Sequence, residues 1–149
     1  MAEQIEWDAQ EFYKRAAAAA GSTRRRMLLE LGDMEADHAR TFAAMKAQLP
    51  APRRQPAGTG PDAAERFPQL LVKLLASGVQ QDLAQRFTGR ESTDEILSKA
   101  LVFEKDTVVF FLGMKDVLGD AADKQKVDQI IREELGHIFL LTSKLAASE

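Results

Sequence analysis

Cysteine is absent from this 149-residue chain, and its absence excludes several kinds of site. Without a thiol, the chain cannot form a disulfide bond, a thiolate zinc site or a cysteine-bound iron–sulfur cluster. Tyrosine and tryptophan occur once each and histidine occurs twice, so each of these residues can be weighed individually.

Long apolar runs and a strong net charge are also absent. No stretch reaches the roughly eighteen apolar residues of a membrane-spanning helix, so we expect none. No basic segment followed by an apolar one opens the chain, which argues against secretion and favours a cytoplasmic protein. The net charge of −3 provides no electrostatic reason to expect a nucleic-acid partner. A composition of 45% hydrophobic and 29% charged residues predicts one globular domain over residues 1–149.

Proline is scarce outside one segment, because residues 50–61 contain four of the five prolines and are predicted to form a loop. Before and after this segment, apolar residues recur with helical spacing. The long helices are predicted to span approximately residues 2–20, 22–49, 92–119 and 120–145. Ser92 and Glu95 have the spacing of a capping box at the start of the third helix. Shorter helical patterns occur at 68–76 and 79–87, and no segment has a convincing strand pattern.

The connections between the long helices predict the topology. Short connections at 21–23 and 119–120 imply two antiparallel hairpins, over residues 1–49 and 92–149. The intervening residues 50–91 are long enough to return across the bundle. We therefore expect an all-α protein, a four-helix bundle with one long crossover that includes extra short helices.

Each histidine follows a glutamate by three residues, in the pairs Glu35–His38 and Glu134–His137. On a helix this spacing directs both side chains to one side, about one turn apart. The helical period assigns both pairs to the core, where an unpaired carboxylate would cost several kcal/mol or become protonated. Metal coordination would remove that penalty, so the pairs predict a metal site.

An internal repeat extends this prediction to the other two helices. The matched positions are Glu6, Ala9, Phe12 and Tyr13 in the first half and Glu104, Thr107, Phe110 and Phe111 in the second. The offset is 98 residues here and 99 residues at the two Glu-x-x-His pairs. The repeat selects Glu6 rather than Glu11 in the first helix, and Glu104 in the third.

Four glutamates and two histidines make the ligand inventory of a two-metal carboxylate centre. The predicted metal ligands are Glu6, Glu35, His38, Glu104, Glu134 and His137. Four carboxylates balance the charge of two divalent cations, and carboxylates can bridge two metals. An oxygen and nitrogen donor set without sulfur suits iron or manganese, although zinc could occupy it too.

These motifs together resemble the rubrerythrin-like branch of the ferritin-like superfamily, and the match covers both hairpins. The resemblance implies a ferritin-like four-helix bundle with a non-haem centre of two iron ions per chain. It implies that Glu6 and Glu104 each bind one metal, that Glu35 and Glu134 bridge, and that the histidines are terminal ligands. It also implies a homodimer.

The chain departs from that family in three respects. It has no rubredoxin domain, so electrons must come from a separate donor or from ferrous substrate. Thr107 stands where the family has an additional glutamate, one turn after the ligand in the third helix. Phe111 stands where the family has a second tyrosine.

A few polar and aromatic side chains near the predicted ligands have alternative interpretations. Tyr13 either hydrogen-bonds a ligand carboxylate or donates an electron to the metal centre, or it is a core aromatic residue whose hydroxyl finds some acceptor. Glu133 and Asp37 are predicted to be exposed helix charges, although Asp37 could orient the imidazole of His38. Trp7 is predicted to face away from the ligands and to serve packing or a subunit interface.

Three functions remain open at this point. The first is a diiron oxidoreductase that reacts with oxygen or peroxide, or oxidises ferrous iron. The alternative is a protein that binds or buffers iron or another divalent metal without significant catalysis. The third is a helical scaffold without metal.

Overall fold

Four long helices make up most of the computed structural model, which describes residues 1–48, 88 and 90–147. Helix α1 spans Ala2–Ala19, α2 spans Ser22–Gln48, α3 spans Thr93–Val117 and α4 spans Ala121–Ala146. No strand occurs among these described residues. The predicted all-α bundle of four long helices is confirmed.

The helix ends follow local sequence signals. At the start of α3, the Ser92 hydroxyl accepts a hydrogen bond from the Glu95 amide, and the Glu95 carboxylate accepts one from the Ser92 amide. This is the predicted capping box, which satisfies two backbone N–H groups that a helix start leaves unpaired. Asp120 caps α4 by accepting from the Asp123 amide at 2.9 Å. Helix α3 ends two residues before Gly119, because Leu118 is already extended.

The helices form two hairpins that face each other. Helix α1 packs closely along α2, and α3 packs closely along α4. The hairpins approach each other less closely, through α2 with α4 and α1 with α3. The apolar period of each helix points into the space between them, as with Ile5, Ala9, Phe12 and Ala16 of α1, all buried. In the described helices, buried polar side chains interrupt this core at one level, described below.

The crossover remains a prediction. The proline-rich loop at 50–61 and the short helices predicted at 68–76 and 79–87 lie outside the described residues, so the division into two hairpins and a crossover within one domain is not tested. Within the described helices, none is both long and apolar enough to cross a membrane.

Candidate metal centre

Six ionisable side chains lie in the middle of the bundle, with at most 3% of each exposed. They are Glu6 of α1, Glu35 and His38 of α2, Glu104 of α3, and Glu134 and His137 of α4. Ionisable groups are almost never this buried unless they are paired or bind a metal. These are the six residues predicted from the sequence, whereas the alternative first-helix residue, Glu11, is exposed.

The six side chains form two overlapping groups of four. One group is Glu6, Glu35, His38 and Glu134, and the other is Glu35, Glu104, Glu134 and His137. Within each group, one ligand atom from every residue lies within 4.8 Å of the others. Glu35 and Glu134 belong to both groups, which is the arrangement required of carboxylates that bridge two metals. The identity of these residues as ligands remains a prediction.

Each histidine directs its Nδ1 atom toward the carboxylates. His38 Nδ1 lies 2.9 Å from Glu134 Oε1, 3.4 Å from Glu35 Oε2 and 3.7 Å from Glu6 Oε2. The two imidazole rings are nearly parallel, at an interplanar angle of 23° and a centroid distance of 6.0 Å.

The second histidine has the matching environment. His137 Nδ1 lies 2.9 Å from Glu134 Oε2, 3.1 Å from Glu35 Oε1 and 3.5 Å from Glu104 Oε1. Each bridging candidate therefore presents one oxygen to each histidine. This is the approximate two-fold symmetry that the sequence repeat predicts.

Although the side chains of this cluster lie close together, most of their oxygen and nitrogen atoms form no hydrogen bond in the described part of the chain. Buried atoms without a hydrogen-bond partner include both carboxylate oxygens of Glu6, Glu35 and Glu134, Oε2 of Glu104, and Nδ1 of both histidines. Buried polar atoms are nearly always satisfied, and a group of unsatisfied ones requires an explanation such as an ion. Oxygen and nitrogen lone pairs that converge without hydrogen bonds fit coordination to metal ions.

Burial and mutual repulsion shift the pKa values of the outer carboxylates. Burial raises the pKa of Glu6 well above its usual value of 4.5; the contact with His38 opposes this shift, and the charges of Glu35 and Glu134 add to it. The pKa of Glu104 is also raised well above 4.5, by burial and by the charges of the same two glutamates. Burial therefore favours the neutral form of both outer carboxyls when no cation balances them.

Contacts between Glu35 and the histidines shift their pKa values in opposite directions. Burial alone would raise the pKa of Glu35, but the contacts with His137 and His38 outweigh it and lower the pKa to about 2. Burial disfavours the charged form of His137, but contacts with three carboxylates raise its pKa to about 12. The pKa of His38 is raised in the same way. Protons on imidazoles thus provide the positive charge that this carboxylate cluster requires.

Tyr13 contacts the cluster directly. Its hydroxyl donates a hydrogen bond to Oε1 of Glu104, and the side chain is fully buried. Burial and the neighbouring charge of Glu104 raise the pKa of Tyr13 well above 10, so the phenol keeps its hydrogen. Of the two interpretations drawn from the sequence, the structure favours the hydrogen bond to a candidate ligand.

Comparison with known proteins gives one informative match. No protein-family model and no curated protein matches the sequence. A crystal structure of a protein from Thermotoga maritima, described as ferritin-like and diiron-carboxylate, superposes with a TM-score of 0.70 over 99% of this chain and 91% of that one, at 22% identity. The fold is ferritin-like. At this identity the match establishes the architecture, and the resemblance inferred from the sequence is confirmed at that level.

One residue of the ferritin-like bundle, Glu133, contacts a candidate ligand in a way that the sequence did not predict. Glu133 is partly exposed, as predicted, but its Oε2 lies 2.8 Å from Nε2 of His38. Because a carboxylate only accepts, Nε2 must carry the hydrogen, which leaves Nδ1 free to coordinate a metal. Asp37, considered as an orienting group for His38, instead binds Arg40.

The sequence offered only a weak signal for Glu133. It directly precedes Glu134, and adjacent residues on a helix diverge, so its position indicates exposure. Its contact with α2 depends on how the two hairpins face each other.

Two other sequence predictions concern side chains beside the candidate ligands. Thr107 is fully buried one turn after Glu104, and its hydroxyl oxygen has no hydrogen-bond partner among the described residues. Threonine has no carboxylate, so the described part of this ferritin-like bundle has four glutamates in its central cluster rather than five. Trp7 is 36% exposed.

Proposed function

We propose that this protein binds two metal ions, with iron as the physiological metal, between the four helices. The observation that supports this most directly is the pair of overlapping four-residue groups that share Glu35 and Glu134. In this arrangement Glu6 and His38 would complete one metal position, and Glu104 and His137 the other. The similar protein from Thermotoga maritima is described as a diiron-carboxylate protein, which is consistent with the proposal.

The donor chemistry supports iron. Four carboxylates offset the charge of two divalent cations, and the two imidazoles add neutral nitrogen donors. Carboxylate and imidazole ligands without sulfur suit iron and manganese, while zinc also accepts them. Manganese and zinc are therefore the substitutes against which iron must be tested.

We propose further that the protein is an oxidoreductase that reacts with oxygen or peroxide, or oxidises ferrous iron. Two bound ferrous ions would supply the two electrons that reduction of an oxygen–oxygen bond requires. The chain's own contribution is a dry site in which Glu35 and Glu134 hold both positions and Tyr13 fixes Glu104 through its hydroxyl. Because the chain has no cysteine, a separate electron donor or ferrous substrate would return the centre to its reduced state.

Metal content tests the binding proposal. The protein is purified without oxygen, loaded with ferrous iron, desalted and measured for iron per chain. We expect about two iron ions per chain, and large losses in Glu134→Ala and His137→Ala. Glu11→Ala, an exposed glutamate of α1, is the matched control and should keep its iron. Absence of metal, or equal metal in all four proteins, would reject the centre.

Exposure of the iron-loaded protein to oxygen, and separately to hydrogen peroxide, tests the catalytic proposal. We expect absorbance of oxidised iron to develop within seconds to minutes, and to disappear when an external reductant is added. Full iron loading without oxidation would instead support the alternative, a metal-binding or buffering protein.

We also propose a homodimer, as the resemblance implies. Several large apolar side chains of the second hairpin are exposed, including Val102, Val109, Leu135 and Phe139, the last at 75%. Burial of such residues between two copies would provide a driving force for association. Sedimentation equilibrium should give twice the chain mass, and a monomer at all concentrations would contradict the proposal.

A further inference from the structure

The two halves of the metal centre differ in the groups that contact their ligands. We propose that the position formed with Glu6 and His38 binds its metal more tightly than the position formed with Glu104 and His137. Metals then load one after the other. This inference rests on the proposed two-metal function and adds an order and an asymmetry to it.

The difference concerns the histidines. Nε2 of His38 donates to Oε2 of Glu133 at 2.8 Å, and Glu133 is itself held by Gln129, whose Nε2 donates to Oε1 at 3.1 Å. A carboxylate that accepts from the far nitrogen of a metal-binding imidazole fixes the ring and increases its strength as a donor. Loss of such a partner typically weakens metal binding by roughly 10- to 100-fold.

Within residues 1–48, 88 and 90–147, the other histidine has no such support. Nε2 of His137 is buried and has no hydrogen-bond partner among the residues that the structure describes. The repeat, with its offset of 99 residues at this level, aligns Glu133 with Met34. Methionine offers only a weak acceptor and no charge. The second metal position therefore has no carboxylate at the place where the first has Glu133.

The two positions therefore differ in the support of their imidazoles. His38 of the first position is held by Glu133, whereas His137 of the second has methionine at the matching place. Glu35 and Glu134 contribute to both positions and do not separate them. The expected ratio of affinities is roughly 10- to 100-fold, since loss of a carboxylate partner to a metal-bound histidine alone has that effect.

Anaerobic titration of the metal-free protein with Co²⁺, followed by calorimetry and visible absorbance, tests the inference without any turnover. The wild-type protein should bind two ions in two steps. Shared bridging carboxylates and repulsion between cations can also separate the steps, so two variants that copy one half of the repeat into the other decide the cause. They are Glu133→Met and Met34→Glu.

Each variant has an expected direction. Glu133→Met should weaken the tighter step by roughly 10- to 100-fold, while Met34→Glu should strengthen the weaker step. Both variants therefore bring the two affinities closer together. A wider gap in Glu133→Met would reverse the assignment and overturn the inference, as would equal affinities in the wild-type protein.

Failure of the inference can be distinguished from failure of the proposed function. If the wild-type protein binds no Co²⁺ and no Fe²⁺, the two-metal function is wrong and the inference with it. If two ions bind and the gap between the steps does not respond to either of the two variants, only the inference is wrong. Unfolding curves of the metal-free variants provide the control for misfolding, since Glu133 and Met34 are partly exposed and their substitution should leave the fold intact.

Discussion

The hydroxyl of Tyr13 in α1 donates a hydrogen bond to the carboxylate of Glu104 in α3, 91 residues later in the chain. The two helices belong to different hairpins, whose backbones approach each other less closely than the helices within a hairpin do. This polar contact therefore links the two hairpins at the level of the candidate metal centre. Its removal should affect both stability and the centre.

Substitution of Tyr13 by phenylalanine removes only the hydroxyl. The Glu104 carboxyl then remains fully buried with one partner fewer, a loss that typically costs about 1–3 kcal/mol. Urea unfolding of the metal-free protein should show a decrease of that size. Trp7→Phe, at a partly exposed aromatic residue, is the control and should change stability by less than about 0.5 kcal/mol. Equal stability of Tyr13→Phe and the wild-type protein would show that Glu104 obtains another donor.

Glu6 and Glu35 are both buried glutamates, yet we expect their replacement by leucine to have opposite effects on the metal-free protein. Burial raises the pKa of Glu6, which favours its neutral form, and neither carboxyl oxygen has a hydrogen-bond partner in the described part of the chain. Leucine of similar size should leave stability unchanged or increase it by about 1–4 kcal/mol. The pKa of Glu35 is lowered to about 2, because its charge is paired with both histidines. Its removal leaves buried positive charge unpaired and should cost about 3–5 kcal/mol.

Unfolding by urea at neutral pH, in the presence of a chelator, measures both effects. Both variants should lose iron, because each removes a candidate ligand. A similar loss of stability in both would show that Glu6 carries charge in the metal-free protein.

Much of the fold and the six clustered residues could be predicted from the sequence. The helical period, the capping box at Ser92 and the short connections are local signals, and the structure has helices where they predict them. The repeat then related Glu6 to Glu104 across the bundle. This worked because two similar hairpins packed face to face place equivalent positions near one axis.

The contacts of Tyr13 and Glu133 could not be predicted in the same way. Both side chains contact a residue of the opposite hairpin, so their partners depend on how the hairpins are offset and rotated. Helical periodicity describes one helix at a time and contains no information on that offset. For Glu133 the helical period predicts a position exposed to solvent, and only about half of the side chain is exposed.

Gly32 lies where α2 packs against α1 beside Tyr13. A Cβ atom at this position would lie 3.2 Å from the Cβ of Tyr13 and 3.5 Å from the backbone oxygen of Gln10. Alanine normally stabilises a helix by about 1 kcal/mol relative to glycine, but overpacking costs about 1–3 kcal/mol. Since the Cβ of Tyr13 is fixed to its backbone, α1 must shift. In Gly32→Ala we therefore expect the cost of overpacking to equal or exceed the gain in helix stability.

Gly136→Ala is the matched control on α4, where a Cβ would meet nothing within 4 Å. Thermal unfolding of the metal-free proteins should rank Gly136→Ala above the wild-type protein and Gly32→Ala at or below it. If both variants gain the same stability, the contact between α1 and α2 has room for a methyl group.

The shifted pKa values predict that the metal-free bundle loses stability as pH rises. Glu6 and Glu104 have raised pKa values, so the folded state retains their protons above 4.5, where the unfolded state releases them. The two histidines also have raised pKa values, so above pH 6.5 the folded state retains protons that the unfolded state releases, and stability continues to fall. Glu35, with its pKa lowered to about 2, has the opposite effect, but only below 4.5. Stability should therefore decrease from about pH 5 to about pH 8.

Metal should reverse this trend, because a cation replaces the protons on the same ligands and its binding strengthens as they deprotonate. The difference in Tm between Zn²⁺-loaded and metal-free protein should therefore increase over that pH range. Without metal, the stability of Glu6→Leu should decline less steeply between pH 4.5 and pH 6.5 than that of the wild-type protein. The reason is that the variant lacks the proton that the folded wild-type protein retains on Glu6. Metal-free stability that instead rises with pH would show that the carboxylates are balanced by something other than protons.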